Sequence, residues 1–224
     1  MKRVVVAELL DSDQGTREEV EGSLNDLRMF NRRFGGIHTT SAVLRRIARD
    51  RGLNQILWLD VAGATGDVAT FTGRSLSAYG IQAESVVLDR SSSHMNGSHT
   101  SVCGDAMKLP FADNSFDAVG CSLFAHHLEP DEIGQFAREA LRVARNAFFI
   151  HDLIRHPLHL ALAYAGFPLY RSRITRHDAP ASVRRAYTVH EMRNMLRTSG
   201  AASVQIETYF PFRMGVIAWK QTMI

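Results

Sequence analysis

At 224 residues, with 45% hydrophobic and 22% charged content, the chain is long enough for one well-packed domain and too apolar to be intrinsically disordered. A formal net charge of +3 suits an anionic ligand but lacks the dense basic arm of many nucleic-acid binders, so no nucleic-acid partner is expected. Two cysteines, Cys103 and Cys121, both in apolar runs, exclude a disulfide framework and point to a reducing, cytoplasmic setting.

Lys2 and Arg3 precede a short apolar stretch, but Glu8 and Asp11 interrupt it without a small-residue cleavage site, which argues against a signal peptide. No apolar run reaches the roughly 18 residues needed to span a bilayer, so no stable membrane insertion is expected. Thr16 and Glu19 then form a capping box, after which Val20, Leu24, Leu27, Phe30 and Phe34 recur at helical spacing until Gly35 and Gly36. A second helix from about Ser41 buries Val43, Leu44 and Ile47 and stops near Gly52. Residues 1–53 therefore read as an N-terminal helical lead.

From residue 55 strands and helices alternate. The strands are QILWLDV (55–61), ESVVLD (84–89), TSVCGD (100–105), FDAVGCSLF (116–124) and AFFIHD (147–152), with helices over much of 67–79 and 131–144. This pattern predicts a doubly wound α/β fold with a mainly parallel sheet. Residues 153–187 break the alternation with the apolar LHLALAYAGF and the Arg- and His-rich YRSRITRHDAPASVRRAY, read as a lid insertion over the carboxyl ends of the strands. A helix (189–198) and the strands SVQIET and MGVIAWK, joined through Pro211, complete a domain over 54–224 that forms one structural unit with the lead. There is no internal repeat, and the polar run Ser91 to Ser98 is the nearest approach to low complexity.

The segment LWLDVAGATGDVA (57–69) is a strand, a tight turn and a helix start. Gly63 and Gly66 let backbone N–H groups approach a ligand at the helix's positive end. Asp89, at the end of the second strand, is placed to bond a ribose diol. The third strand ends in Asp105-Ala106, and LPFADNSFDAV (109–119) and HHLEPDE follow. On these segments the chain, over about residues 55–152, resembles the class I S-adenosylmethionine-dependent methyltransferases. Such enzymes read D-hydrophobic-G-x-G-x-G after the first strand, an acid after the second, D-A or D-hydrophobic after the third, and often LPF-x-D-x-SFD into the fourth.

The resemblance implies a seven-stranded Rossmann-like sheet, S-adenosylmethionine as cofactor, and a binding set of Asp60, Ala62, Gly63, Gly66, Asp89, Arg90, Asp105, Ala106 and Ser122. The loop Asp60 to Gly66 would surround the methionine portion, Asp89 the ribose hydroxyls, and Asp105 the adenine amine with Ala106 beside the ring. Ala62 and Ala64 depart from the pattern: each adds a methyl that either displaces backbone or cofactor, or is absorbed by a wider turn.

Methyl transfer from a sulfonium is an in-line displacement, and a hydroxyl acceptor must also lose a proton. In similar small-molecule O-methyltransferases, the residues matching His126, His127 and the strand-five acid Asp152 are candidate base and orienting groups. His151 is weaker, because it alternates with Asp152 along a strand. The spacing of His and carboxylate residues along the chain gives no compact ligand cluster, so no metal is expected. The apolar stretch and Arg171, Arg173, Arg176, His177, Arg184 and Arg185 fit a phenolic or polyketide-like acceptor, and flanking segments resemble bacterial enzymes of secondary metabolism. A homodimer is compatible with the sequence.

Competing readings are a C-methyltransferase, a repurposed or non-catalytic cofactor-binding fold, an RNA methyltransferase, and a nicotinamide-dependent oxidoreductase. RNA binding lacks an aromatic stacking platform, and the oxidoreductase reading lacks the full G-x-G-x-x-G spacing and leaves DAMKLPFADNSFD unexplained.

Overall fold

The computed structural model describes residues 1–12, 14–91 and 100–221. Most of the polar run at 91–98 lies outside the described residues. Seven strands, β1 (Gln55–Val61), β2 (Gln82–Asp89), β3 (Ser101–Cys103), β4 (Phe116–Ser122), β5 (Ala144–Leu153), β6 (Ser203–Tyr209) and β7 (Arg213–Trp219), form one sheet in the order β3-β2-β1-β4-β5-β7-β6. The first five run parallel, and β7 runs antiparallel to both β5 and β6. This is the expected doubly wound, Rossmann-like methyltransferase fold.

Strand alternation sorts side chains between two helical layers. Ile56, Trp58, Ala118, Ala147 and Phe149 pack with Val43, Leu44 and Ile47 of helix α2 (Gly36–Arg51) and Leu76 of helix α3 (Asp67–Ser77). Leu59, Val61, Val119, Phe148 and Ile150 pack instead with Ile133 and Phe136 of α4 (Pro130–Val143) and Met192 and Leu196 of α7 (Val189–Leu196). The same alternation sends Asp60 and His151 to the α2 and α3 side and Asp152 to the α4 side. Helix α6 (Arg173–Arg185) packs on both α1 (Arg17–Arg33) and α5 (Pro157–Ala165), and meets the 3-10 turn Ala125–His127 that follows β4.

Several boundaries differ from the sequence reading. Residues 1–9 are not helical. Instead they run along α6, where Val4 N–H donates to the Arg184 carbonyl and Leu9 and Leu10 N–H donate to the Asp178 carboxylate. Helix α2 starts at Gly36 rather than near Ser41, because Gly35 at φ 83° reverses the chain in a single residue. Strand β3 stops at Cys103, since the Asp105 carboxylate turns back onto Met107 N–H at 2.8 Å. Leu123, at φ 57°, ends β4 at Ser122.

The turn after β1 answers how its alanines are accommodated. Ala62 and Ala64 adopt φ 58° and 45°, and Gly66 φ 73°. The backbone thus keeps the left-handed shape that glycine would adopt freely, and the methyls are absorbed by strain of about 1–2 kcal/mol per residue. Gly63 is fixed by close approach, because a Cβ there would lie 2.8 Å from Asp60 Oδ2.

Ala62→Gly and Ala64→Gly should therefore each stabilise the fold, by up to about 1 kcal/mol after glycine's extra unfolded-state entropy is deducted. Urea unfolding reads this as a raised midpoint; an unchanged or lowered midpoint in both variants would show that the turn is unstrained.

Candidate active site

The parallel strands β1, β2, β4 and β5 deliver Asp60, Asp89, Ser122 and Asp152 to one edge of the sheet. Asp60 is fully buried, and neither carboxylate oxygen has a hydrogen-bond partner among the described residues. Burial, with Asp89 nearby, pushes its pKa up to about 8. Asp89 shapes the loop directly: Oδ2 accepts from Ala64 N–H and Oδ1 from Ser91 N–H, each at 2.9 Å. Asp67, in the first turn of α3, accepts from Thr65 Oγ1 at 2.6 Å and is bonded by Arg28 of α1. The positive end of α3 therefore already faces a carboxylate of its own chain.

The remaining predicted binding residues are arranged unevenly. Arg90 follows β2, and its carbonyl accepts from the Cys103 thiol at 3.4 Å. Ala106 is buried while Asp105 is exposed and bonded to its own turn. Ser122 Oγ lies 3.2 Å from Thr40 Oγ1, which also contacts His151 Nδ1 at 3.1 Å. Ser122 thus joins a network on the α2 side. Arg213 Nη1 stands 3.2 Å from His151 Nε2. Burial and this guanidinium lower the His151 pKa to about 3, so the ring is neutral.

On the opposite face, Asp152 organises the turn after β4. Its Oδ2 accepts from His126 N–H at 2.8 Å, while Oδ1 lies 2.7 Å from His126 Nδ1 and accepts from Leu153 N–H. The ring's other nitrogen, Nε2, stands 3.5 Å from Glu8 Oε1 in the N-terminal segment. Burial alone would keep His126 neutral, but Asp152 and Glu8 outweigh it and raise its pKa to about 10. His126 therefore holds its proton here, which corrects the expectation that it is a ready base. His127 is more accessible, with Nδ1 3.0 Å from Asp11 Oδ2 and Nε2 3.7 Å from Glu8 Oε1. Glu8 and Asp11 were missed as site residues by sequence reasoning, although their interruption of an apolar stretch was visible.

The basic stretch is engaged rather than free. Arg173 pairs with Glu19 of α1, Arg184 with the Tyr164 hydroxyl, Arg185 with the His127 carbonyl, Arg176 with the Tyr170 carbonyl, and His177 with Asp178. These bonds fasten the cap to α1 and the turn after β4; Arg173 and His177 face carboxylates, while Arg176, Arg184 and Arg185 are held by neutral oxygens and keep their charge. Helix α5 buries only Ala163 and exposes Leu158 and Leu162.

A buried carboxylate with two unpartnered oxygens, beside a loop whose glycine admits no side chain, fits a ligand bringing a cationic or N–H-bearing group. The amino-acid end of S-adenosylmethionine is such a group. In the free protein, Asp60 makes folding pH-dependent: its folded pKa lies above the unfolded value near 3.8, so stability is lost as pH rises from about 4 to 8. Asp60→Asn should flatten that decline in melting temperature, whereas an unchanged slope would mean Asp60 is not held protonated by burial.

Residues 59–149 match a family model described as a methyltransferase domain. Over 102 residues the chain is 38% identical to the ubiquinone/menaquinone biosynthesis C-methyltransferase UbiE of Dinoroseobacter shibae, a match spanning 39% of this chain and 37% of that relative. Among solved structures, the plantazolicin methyltransferase BpumL in complex with SAH superposes with a TM-score of 0.69 at 12% identity, covering 96% of this chain and 95% of the other. The magnesium protoporphyrin IX methyltransferase ChlM of Synechocystis PCC 6803 gives 0.54 at 17% identity over 84% of each chain. The match over 59–149 and the sheet order show a methyltransferase domain on the Rossmann-like methyltransferase fold, and the chain is similar in both to S-adenosylmethionine-dependent methyltransferases.

Proposed function

We propose that the chain transfers the methyl group of S-adenosylmethionine to an oxygen of a small-molecule acceptor with an aromatic or polyketide-like hydroxyl. The observation that carries the oxygen preference is the cluster of His126, His127, Glu8 and Asp152 beyond β4 and β5, on the same edge as Asp60 and Asp89. The oxygen of a phenol must lose its proton as the methyl arrives, and this cluster supplies a group to take it.

In this reading the loop Asp60 to Gly66, including Ala62 and Gly63, surrounds the amino-acid end of the cofactor. Asp89 keeps free lone pairs for the ribose hydroxyls while its bonds to Ala64 and Ser91 hold it in place. Arg90, Asp105, Ala106 and Ser122 complete the proposed set, with Asp105 leaving its turn bond to reach the adenine amine. The cofactor supplies an electrophilic methyl on a sulfonium. The chain positions the acceptor and manages its proton. Asp152 orients His126, whose positive charge favours a developing phenolate, and His127, with Asp11 on Nδ1, presents Nε2 as the proton acceptor. The carboxylate already at the start of α3 disfavours a dinucleotide pyrophosphate there.

A second reading, methylation at carbon, is favoured by the partly matching relative, a C-methyltransferase. The two are separated by incubating the protein with methyl-labelled S-adenosylmethionine and a panel of phenols and hydroquinones. Label on oxygen by NMR supports the first reading; label on ring carbon, or no transfer to any acceptor, contradicts it. Asp89→Asn should weaken S-adenosylhomocysteine binding roughly ten- to hundredfold, for a loss of about 1.5–3 kcal/mol in charge-assisted hydrogen bonds. Equilibrium dialysis checks this, and unchanged affinity removes Asp89 from the ribose.

A further inference from the structure

Glu8, His126 and His127 converge although they come from opposite parts of the chain. One ring nitrogen of each histidine and a carboxylate oxygen of Glu8 all lie within 4.8 Å of one another. Glu8 Oε1 stands 3.5 Å from His126 Nε2 and 3.7 Å from His127 Nε2. Donors bound to a tetrahedral zinc at about 2.0–2.1 Å are separated by roughly 3.3 Å, so both Glu8 distances are within a few tenths of an ångström of that spacing and the third pair, inside 4.8 Å, closes by side-chain rotation.

The supporting shell is also in place. Asp152 Oδ1 lies 2.7 Å from His126 Nδ1 and Asp11 Oδ2 lies 3.0 Å from His127 Nδ1, so each imidazole has a carboxylate behind the nitrogen that does not face the cluster. Carboxylates placed this way fix the tautomer and orientation of metal-bound histidines. Ser182 Oγ donates to Glu8 Oε1 at 2.8 Å and orients that carboxylate. His126 Nε2 is aimed into the cluster, buried, and without a hydrogen-bond partner among the described residues. The nearby guanidiniums lie outside the three proposed donors: Arg185 Nη1 stands 3.5 Å from His127 Nδ1 and 3.7 Å from Asp11 Oδ2, behind the ring, while its Nη2 donates to the His127 carbonyl, and Arg3 bonds the Arg185 carbonyl and Glu129.

We propose that Glu8, His126 and His127 form a binding site for one divalent first-row transition-metal ion, of the Zn²⁺ or Fe²⁺ type, with a coordination position left open. Two imidazoles, one carboxylate and an open position form a donor set characteristic of catalytic rather than structural sites. Binding would release the proton held by His126 to solvent, and an acceptor hydroxyl coordinated there would ionise more readily, its proton likewise passing to water rather than to His127. That use rests on the methyl-transfer reading above; the site itself does not.

The test uses the intact protein stripped with chelator and titrated calorimetrically with Zn²⁺ alone, in parallel with Co²⁺ followed by visible absorption. The expected result is one equivalent bound with the intense d–d bands of four-coordinate cobalt. His127→Ala, checked by thermal melting for an intact fold, should abolish binding, and Asp11→Asn should weaken it about ten- to hundredfold. No stoichiometric binding of either ion, or equal binding by wild type and folded His127→Ala, overturns the site. Because neither S-adenosylmethionine nor an acceptor is present, failure of methyl transfer would leave a positive result standing.

Discussion

The Asp152 carboxylate is the interaction on which the reactive edge depends. It is buried at the end of β5 and is engaged by two backbone N–H groups and by the His126 ring. One side chain therefore closes the turn after β4, joins that turn to β5 and aims an imidazole at Glu8. A buried carboxylate tolerates this position because hydrogen bonds and an imidazolium replace its lost hydration. Its folded pKa accordingly falls: burial opposes ionisation, and His126 with the Leu153 N–H outweighs burial. Without that anchor, the N-terminal segment would have no fixed imidazole to meet.

Asp60 presents the opposite balance on the other face of the same sheet. It has comparable burial but no bonded donor among the described residues, so it stays protonated near neutral pH. The contrast between a satisfied and an unsatisfied carboxylate separates the edge into two functional regions. One is internally complete and positions charged side chains. The other is complete only when a ligand supplies donors, and it lies beside the strained loop of Ala62 and Ala64. Strain and an unsatisfied polar group at one place accord with a binding loop whose geometry is held by the surrounding fold.

Much of the fold was legible in the sequence because its signals are local. The Thr16 capping box, the helical spacing after it, and the apolar strands at 55–61 and 116–122 depend on neighbours within a few residues. The candidate site was legible where it falls at strand ends, as with Asp89 and Asp152, and alternation along β5 gave the correct opposite facing of His151. Glu8 and Asp11 were not legible as site residues, since only tertiary packing along α6 carries them to the histidines. The same long-range packing explains the arginines: their partners, such as Glu19 for Arg173, lie too far away in sequence for spacing to reveal the pairing. The left-handed backbone at Ala62 and Ala64 was hidden for another reason, because local preference disfavours it and the sheet edge imposes it.

The central claim is that the edge formed by Asp60, Gly63 and Asp89 is a working S-adenosylmethionine site despite its two alanines. The direct measurement is calorimetric titration of the wild-type protein with S-adenosylmethionine and S-adenosylhomocysteine, with NAD in parallel. One-to-one binding of the first two at roughly micromolar affinity, with no heat from NAD, is the predicted result. Binding of NAD, or no binding of either sulfur compound by the folded protein, would contradict the account.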